Sequence, residues 1–292
     1  MQENRSVLTC LLCGSGVRKW VSTLNRGVGD RERFDIYRCI DCRSTLVDPI
    51  PENLKNYYSD YHAIPQGKSW QRAVRSCKNR MDVVLAARDS EEKTILDIGA
   101  GAGAFVNAAH NEGFLVAAIE QDEKCRINLE SIIPGKVSAD FEEHLKQGLF
   151  KPELITLWHV FEHIPNPDLF LKSIKSTFPT GTKIILEVPN ADSWVFSVLR
   201  SIWPHLDAPR HIFIPSNNGI RQIAKNNGMH VTQVRNRDNS NWAAFSFSNL
   251  GNGSAENRLG QILRRMIQIC LKPLFAWESL KFGTTSTYII KI

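Results

Sequence analysis

The 292-residue chain has no run of 18 consecutive apolar residues, which excludes an ordinary membrane-spanning helix. Its first ten residues, MQENRSVLTC, lack the apolar core of a secretory signal, so the expected location is the cytoplasm. It has no internal repeat and no low-complexity tract. Hydrophobic residues at 42% and charged residues at 23% exclude a disordered or fibrous chain and suit one large domain or two smaller ones. Cysteines number only seven, and in a reducing compartment they read as metal ligands or buried thiols before disulfides. Acidic residues are scarce at one end. Residues 191–292 hold 12 Lys and Arg against 5 Asp and Glu, while 93–190 hold 9 against 13. A cationic last third meets phosphates, an acidic substrate or an anionic membrane face, or is simply a solvated surface.

What is present is alternation. From residue 93, KTILDIG, LVAAIE, KVSAD, ELITLW and KIILEVP read as strands, and the segments near 103–112, 122–132 and 168–178 read as helices. The pattern predicts an α/β fold, a doubly wound and mostly parallel seven-stranded sheet, with the Thr-rich run at 283–292 as a last, antiparallel strand. Three segments are expected: a small ribbon at 1–50, an aromatic connector and leading helix at 51–92, and the main domain at 93–292. Trp70, Val74, Cys77, Met81, Val84 and Leu85 fall at helical spacing, which predicts one amphipathic helix over 68–88. An insertion near 190–215 carries Trp194, Phe196, Trp203 and Phe213. It reads as core packing more than as pocket, because Val195, Leu199 and Ile202 keep helical spacing.

Cys10-x-x-Cys13-Gly14 and Cys39-x-x-Cys42 stand 25 residues apart, the spacing of a four-cysteine zinc ribbon. Four thiolates close the coordination sphere, so such a zinc is structural. A redox pair or an iron centre is the alternative, but the flanks are polar loop and not a βαβ unit. Cys77, Cys125 and Cys270 are isolated and read as buried thiols.

Ile98-Gly99-Ala100-Gly101-Ala102-Gly103 ends a strand and opens a helix, and Glu120 closes the next strand. The loop reads G-x-G-x-G, not the G-x-G-x-x-G of dinucleotide sites, and Asp97 stands two residues before its first glycine. A pyrophosphate is poorly served by a carboxylate there. A ligand with a cationic end is well served, which favours S-adenosylmethionine over a nicotinamide dinucleotide. A tight strand-to-helix turn without a ligand is the structural alternative.

LDIGAGAGAF, AIEQD, SADFEE and LWHVFEHIPNPDLFL, in that order, together resemble the class I S-adenosylmethionine-dependent methyltransferases over about 93–235. The four-cysteine ribbon and aromatic connector resemble, more weakly, a zinc-containing bacterial branch that includes sugar methyltransferases. The resemblance implies that Asp97, Gly99, Gly101 and Gly103 hold the methionine end, that Glu120 holds the ribose, and that Asp140 and Phe141 flank the adenine.

The chemistry is expected at His159, Glu162 and His163, after the fourth strand, and at His211. Ligands of open α/β sheets bind at that carboxyl edge. Methyl transfer to a hydroxyl or an acidic carbon also requires a proton acceptor, which suits histidine. His163 and His211 are the preferred bases. His163-Ile164-Pro165 matches a His-Ile-Pro of zinc-ribbon sugar C-methyltransferases, whereas their Glu-His pair is replaced here by Arg210-His211. The arginine suits an anionic acceptor. Alternatively, His159, Glu162, His163 and His211 hold a divalent cation, or Glu162 and His163 only hydrogen-bond the loop.

Tyr57, Tyr58 and Tyr61 read as packing of the ribbon, with a lid over the cofactor as the alternative. Residues 258–275 predict a basic amphipathic helix that packs on its own domain or makes peripheral membrane contact. The expected enzyme methylates oxygen or carbon of a small-molecule acceptor, a sugar or glycan precursor being favoured. An RNA methyltransferase is the main rival, though the net charge of +6 is modest for a nucleic-acid partner. A cofactor-binding module without catalysis is a third.

Overall fold

The computed structural model describes residues 8–25, 32–58, 64–89, 91, 93–148, 151–203, 205–237 and 283–292. Tyr61, Cys270 and the 258–275 stretch lie outside them. The chain divides into two compact units. One gathers Met1–Tyr57, Val188–Ile223 and Val234–Thr287; the other gathers Tyr58–Glu187, Ala224–Gln233 and Tyr288–Ile292. Among the described residues, no helix is long and apolar enough to cross a membrane.

The first unit opens with β1 (Val17–Leu24), β2 (Arg33–Cys39) and β3 (Thr45–Asp48), an antiparallel meander. Their sheet is completed from far along the sequence by β9 (Phe213–Ile214), which pairs antiparallel with β3. Phe34, Ile36 and Val47 of the ribbon share one apolar core with Val195, Phe196, Leu199 and Trp203. Trp194 packs at its margin, and Phe213 is buried as well, so these aromatics take part in the packing of this unit. Tyr57 also packs on this core, its ring 6.2 Å from that of Phe34.

The second unit carries the doubly wound part. β4 (Thr94–Ile98), β5 (Leu115–Ile119), β6 (Val137–Ser138), β7 (Leu154–Trp158) and β8 (Lys183–Pro189) pair in parallel. With β10 (His230–Arg237) and β11 (Thr285–Lys291) they form a seven-stranded sheet of order β10-β11-β8-β7-β4-β5-β6. β11 runs antiparallel to β8, since the Asn190 amide bonds Thr284 at one end and the Ile292 amide bonds Thr182 at the other. β7 and β8 are buried throughout, as parallel strands covered on both faces must be. The expected α/β architecture is present.

The leading helix is not continuous. It breaks at Cys77 into α1 (Gly67–Ser76) and α2 (Lys78–Ala87). At Cys77 ψ is −3°, and its amide turns back to Val74, three residues earlier, so the four-residue ladder is interrupted. The two halves also differ in burial. α1 buries no residue, whereas α2 buries Met81, Val83, Val84 and Ala87. Leu85, placed on the apolar face by spacing alone, is 47% exposed.

Candidate active site

In the second unit, β4 ends in the glycine loop and α3 (Ala104–Asn111) begins after it. All three glycines have positive φ: 71° at Gly99, 54° at Gly101 and 87° at Gly103. Their reasons differ. A Cβ at Gly99 would lie 2.5 Å from a Val160 methyl, and one at Gly103 would lie 2.7 Å from a Leu129 methyl. A Cβ at Gly101 would meet nothing within 4 Å. The outer glycines are needed for packing, and the middle one leaves open space at the tip of the loop.

Two carboxylates serve this loop. Glu120, at the end of β5, is buried; one oxygen accepts the Gly101 amide at 2.7 Å and the other accepts the Asp122 amide at 2.8 Å. Asp97 is fully buried on β4, and its Oδ1 accepts the Thr156 hydroxyl at 2.6 Å. Its Oδ2 is buried without a hydrogen-bond partner among the described residues. Burial pushes its carboxyl up to about 7, and the Thr156 bond and Arg80 only partly oppose this. A buried carboxylate oxygen lacking a donor beside an open glycine tip fits a ligand that brings an ammonium group.

Asp140 caps α5 (Phe141–Gln147), its side chain accepting the Glu143 amide at 2.8 Å. Phe141 stands edge-on to Phe178, with ring centroids 5.9 Å apart.

Beyond β7, His159 adopts a left-handed conformation with φ 59°. For a non-glycine residue this is uncommon and turns the chain sharply at the strand end. The His159 ring lies between two carboxylates, with Nδ1 3.2 Å from Glu162 and Nε2 3.4 Å from Glu187. Arg80 donates twice to the same Glu187 oxygen, at 2.7 and 3.0 Å, and its guanidinium covers the Trp158 ring. Burial disfavours a charged imidazole, but the bonds to Glu162 and Glu187 outweigh it and push His159 up to about 9. For Glu187, burial is likewise outweighed, by His159 and Arg80, and its carboxyl is held down to about 2. His159 is therefore a fixed cation at neutral pH. His163, one short turn on, shares a hydrogen bond of 2.8 Å between its Nδ1 and the Tyr58 hydroxyl.

Sequence reasoning missed Arg80 and Glu187. The signal for Glu187 was available, because it is an isolated carboxylate in the otherwise apolar run KIILEVP. Nothing local marks Arg80, which lies 107 residues away in sequence.

In the first unit, His211 is buried, and its Nδ1 lies 2.6 Å from the His205 carbonyl. Arg210 beside it donates to Asp207 at 2.7 Å. Its charge is thus matched within its own loop.

The four ribbon cysteines converge in the same unit. The sulfurs of Cys10 and Cys42 are 3.5 Å apart, those of Cys13 and Cys39 3.4 Å, and all four lie within 4.8 Å of one another. A tetrahedral zinc with bonds of ~2.3 Å separates its sulfurs by ~3.8 Å, so the set fits. Hydrogen bonding to Cys42 holds Cys10 protonated, and the same bond brings Cys42 down to about 5. Cys77 and Cys125 are buried elsewhere.

Comparison with known proteins agrees with this architecture. Residues 70–234 match the methyltransferase domain family. Among solved structures, the chain is similar to an S-adenosylmethionine-dependent methyltransferase from Archaeoglobus fulgidus, at 17% identity and TM-score 0.50, covering 75% of this chain and 94% of that one. It is also similar to a mycolic acid cyclopropane synthase complexed with S-adenosylhomocysteine, at 14% identity and TM-score 0.47, covering 74% and 84% of the two chains. At 17% identity the likeness to the first is one of fold. No curated protein matches the sequence. With more than half its length matched, the chain belongs to the methyltransferase domain family.

Proposed function

We propose that this enzyme methylates an oxygen or carbon of a small-molecule acceptor, with a sugar or glycan precursor as the favoured class. The observation that carries the cofactor assignment is the glycine loop, whose open Gly101 tip stands beside a buried Asp97 oxygen lacking a donor. Asp97 takes the amine of the methionine end. Gly99, Gly101 and Gly103 let the backbone approach it, Glu120 accepts from the ribose hydroxyls, and Asp140 and Phe141 flank the adenine. S-adenosylmethionine supplies, when bound, a methyl group on an activated sulfonium. The chain's own task is to align the acceptor atom and take its proton. His159, held as a cation between Glu162 and Glu187, is assigned to shaping the strand end. The base is His163 or His211. The four cysteines hold a structural zinc.

The sugar class is supported by the His163-Ile164-Pro165 match and the ribbon. A screen with labelled S-adenosylmethionine tests it, using nucleotide sugars, lipid-linked glycans and RNA as acceptor pools. Label in a sugar pool is expected. Label only in RNA contradicts the acceptor class. Tight cofactor binding with no label in any pool contradicts the enzymatic role. In the active pool, His163→Ala and His211→Ala are expected to differ: the base variant loses turnover and keeps cofactor affinity.

A further inference from the structure

The ribbon's second knuckle is joined to the segment that follows His211. Ser216 donates its hydroxyl to the Cys42 carbonyl, and its amide donates to the Ser44 hydroxyl at 3.0 Å. The Cys42 sulfur is itself 3.3 Å from that Ser44 hydroxyl. Ser216 also accepts the Gly219 amide at 2.9 Å, at the start of α8 (Asn217–Asn226). Just before it, β9 pairs with β3, and the Ile212 carbonyl accepts the Val47 amide at 2.8 Å. Contact is close enough to dictate a residue. A Cβ at Gly219 would lie 2.2 Å from the Ser44 hydroxyl and 2.9 Å from Leu12, which sits between Cys10 and Cys13.

We propose that the metal-loaded ribbon is the positioning element for the His211–Gly219 segment, with Ser44 and Ser216 as the positioning residues. The ribbon has strands of eight, seven and four residues, and β9 adds only two. Its cysteine knuckles depend on the metal for order. Ile212, β9 and Ser216 take partners from it, while the Pro215 carbonyl and the Asn217 amide are held by Ala191 and Asp192, so loss of the metal releases the 212–216 stretch first. The proposal rests on the zinc assignment above, and on the base role of His211 only for its effect on turnover.

The test is hydrogen exchange on the full chain, before and after zinc chelation, with metal content and S-adenosylhomocysteine affinity measured on the same samples. Exchange across 211–219 is expected to rise by about 100-fold on chelation and to recover when zinc is restored. Exchange across 94–98 and 115–119, and the affinity, are expected to stay within about twofold. Unchanged protection of 211–219 would overturn the proposal. So would a purified protein without metal, or an equal rise in both units, which is global unfolding. If the zinc-loaded protein fails to bind S-adenosylhomocysteine, the cofactor assignment falls, and the exchange data still decide this proposal. Ser216→Ala, which keeps all four cysteines, is expected to retain zinc and raise exchange at 212–219 by about tenfold, with Ser216→Thr restoring protection. Zinc-loaded Ser216→Ala with unaltered exchange would remove Ser216 from its role.

Discussion

The two units build their candidate sites by opposite means. In the second, the glycine loop is assembled within a short stretch of chain. β4, the loop and α3 follow one another without interruption, and Glu120 closes the very next strand. In the first, the ribbon is completed by residues remote in sequence: Ser216 bonds Cys42 from 174 positions away. The difference teaches what kind of site a sequence displays. A site made by consecutive residues leaves a readable motif. A site made by tertiary docking leaves single serines and glycines that look like any others.

That contrast accounts for what was legible. The α/β fold, its strand order of appearance and the final antiparallel strand follow from apolar runs separated by helical periods. The four cysteines and the loop glycines stand in fixed spacing. The break at Cys77 was not legible, because apolar spacing continues through it and only burial separates α1 from α2. The Arg80–Glu187–His159–Glu162 network was half legible. Its two members near the strand end stood in the motif, and its other two lie on α2 and β8. The pairing of Arg210 with Asp207 depends on a local turn that composition does not reveal.

The sharpest way to break the comparison is inside the glycine loop. Gly103→Ala must fit a methyl against Leu129 and hold a positive φ, and is expected to cost about 3 kcal/mol in chemical denaturation. Gly101→Ala meets only the dihedral strain, about 1 kcal/mol, yet is expected to weaken S-adenosylhomocysteine binding by more than about tenfold. Equal stability losses in the two variants would mean that the middle glycine is not reserved for a ligand.

Next in size is the pH dependence of the second unit. The pKa of His159 is raised from 6.5 to about 9, so its contribution is complete below 6.5 and lost as pH rises through about 9. Asp97 acts in a lower window, from 3.8 to about 7, whereas Cys42, brought from 9.0 down to about 5, adds stability as pH rises to 9 and opposes the histidine there. The stability difference between the ligand-free protein and His159→Gln is expected to shrink by on the order of 2 kcal/mol from pH ~7 to ~9. A difference that stays constant over that interval would place the titration elsewhere.

The smallest effect compares the two knuckles. Gly14 follows the first pair of cysteines and Arg43 follows the second, at φ 78° and 68°. Glycine adopts that conformation freely and arginine does not. Arg43→Gly is expected to raise the thermal stability of the zinc-loaded protein by up to about 1 kcal/mol. A loss would show that the Arg43 side chain contributes more than its backbone strain removes.

The most direct test of the account is calorimetric titration of the full chain with S-adenosylhomocysteine, repeated on Asp97→Ala and Glu120→Ala. Saturable binding of one ligand per chain, reduced by about 100-fold or more in each variant, is the predicted result. Absence of binding to the unaltered chain, or binding that neither variant disturbs, would contradict the assignment of this loop and its two carboxylates to the cofactor.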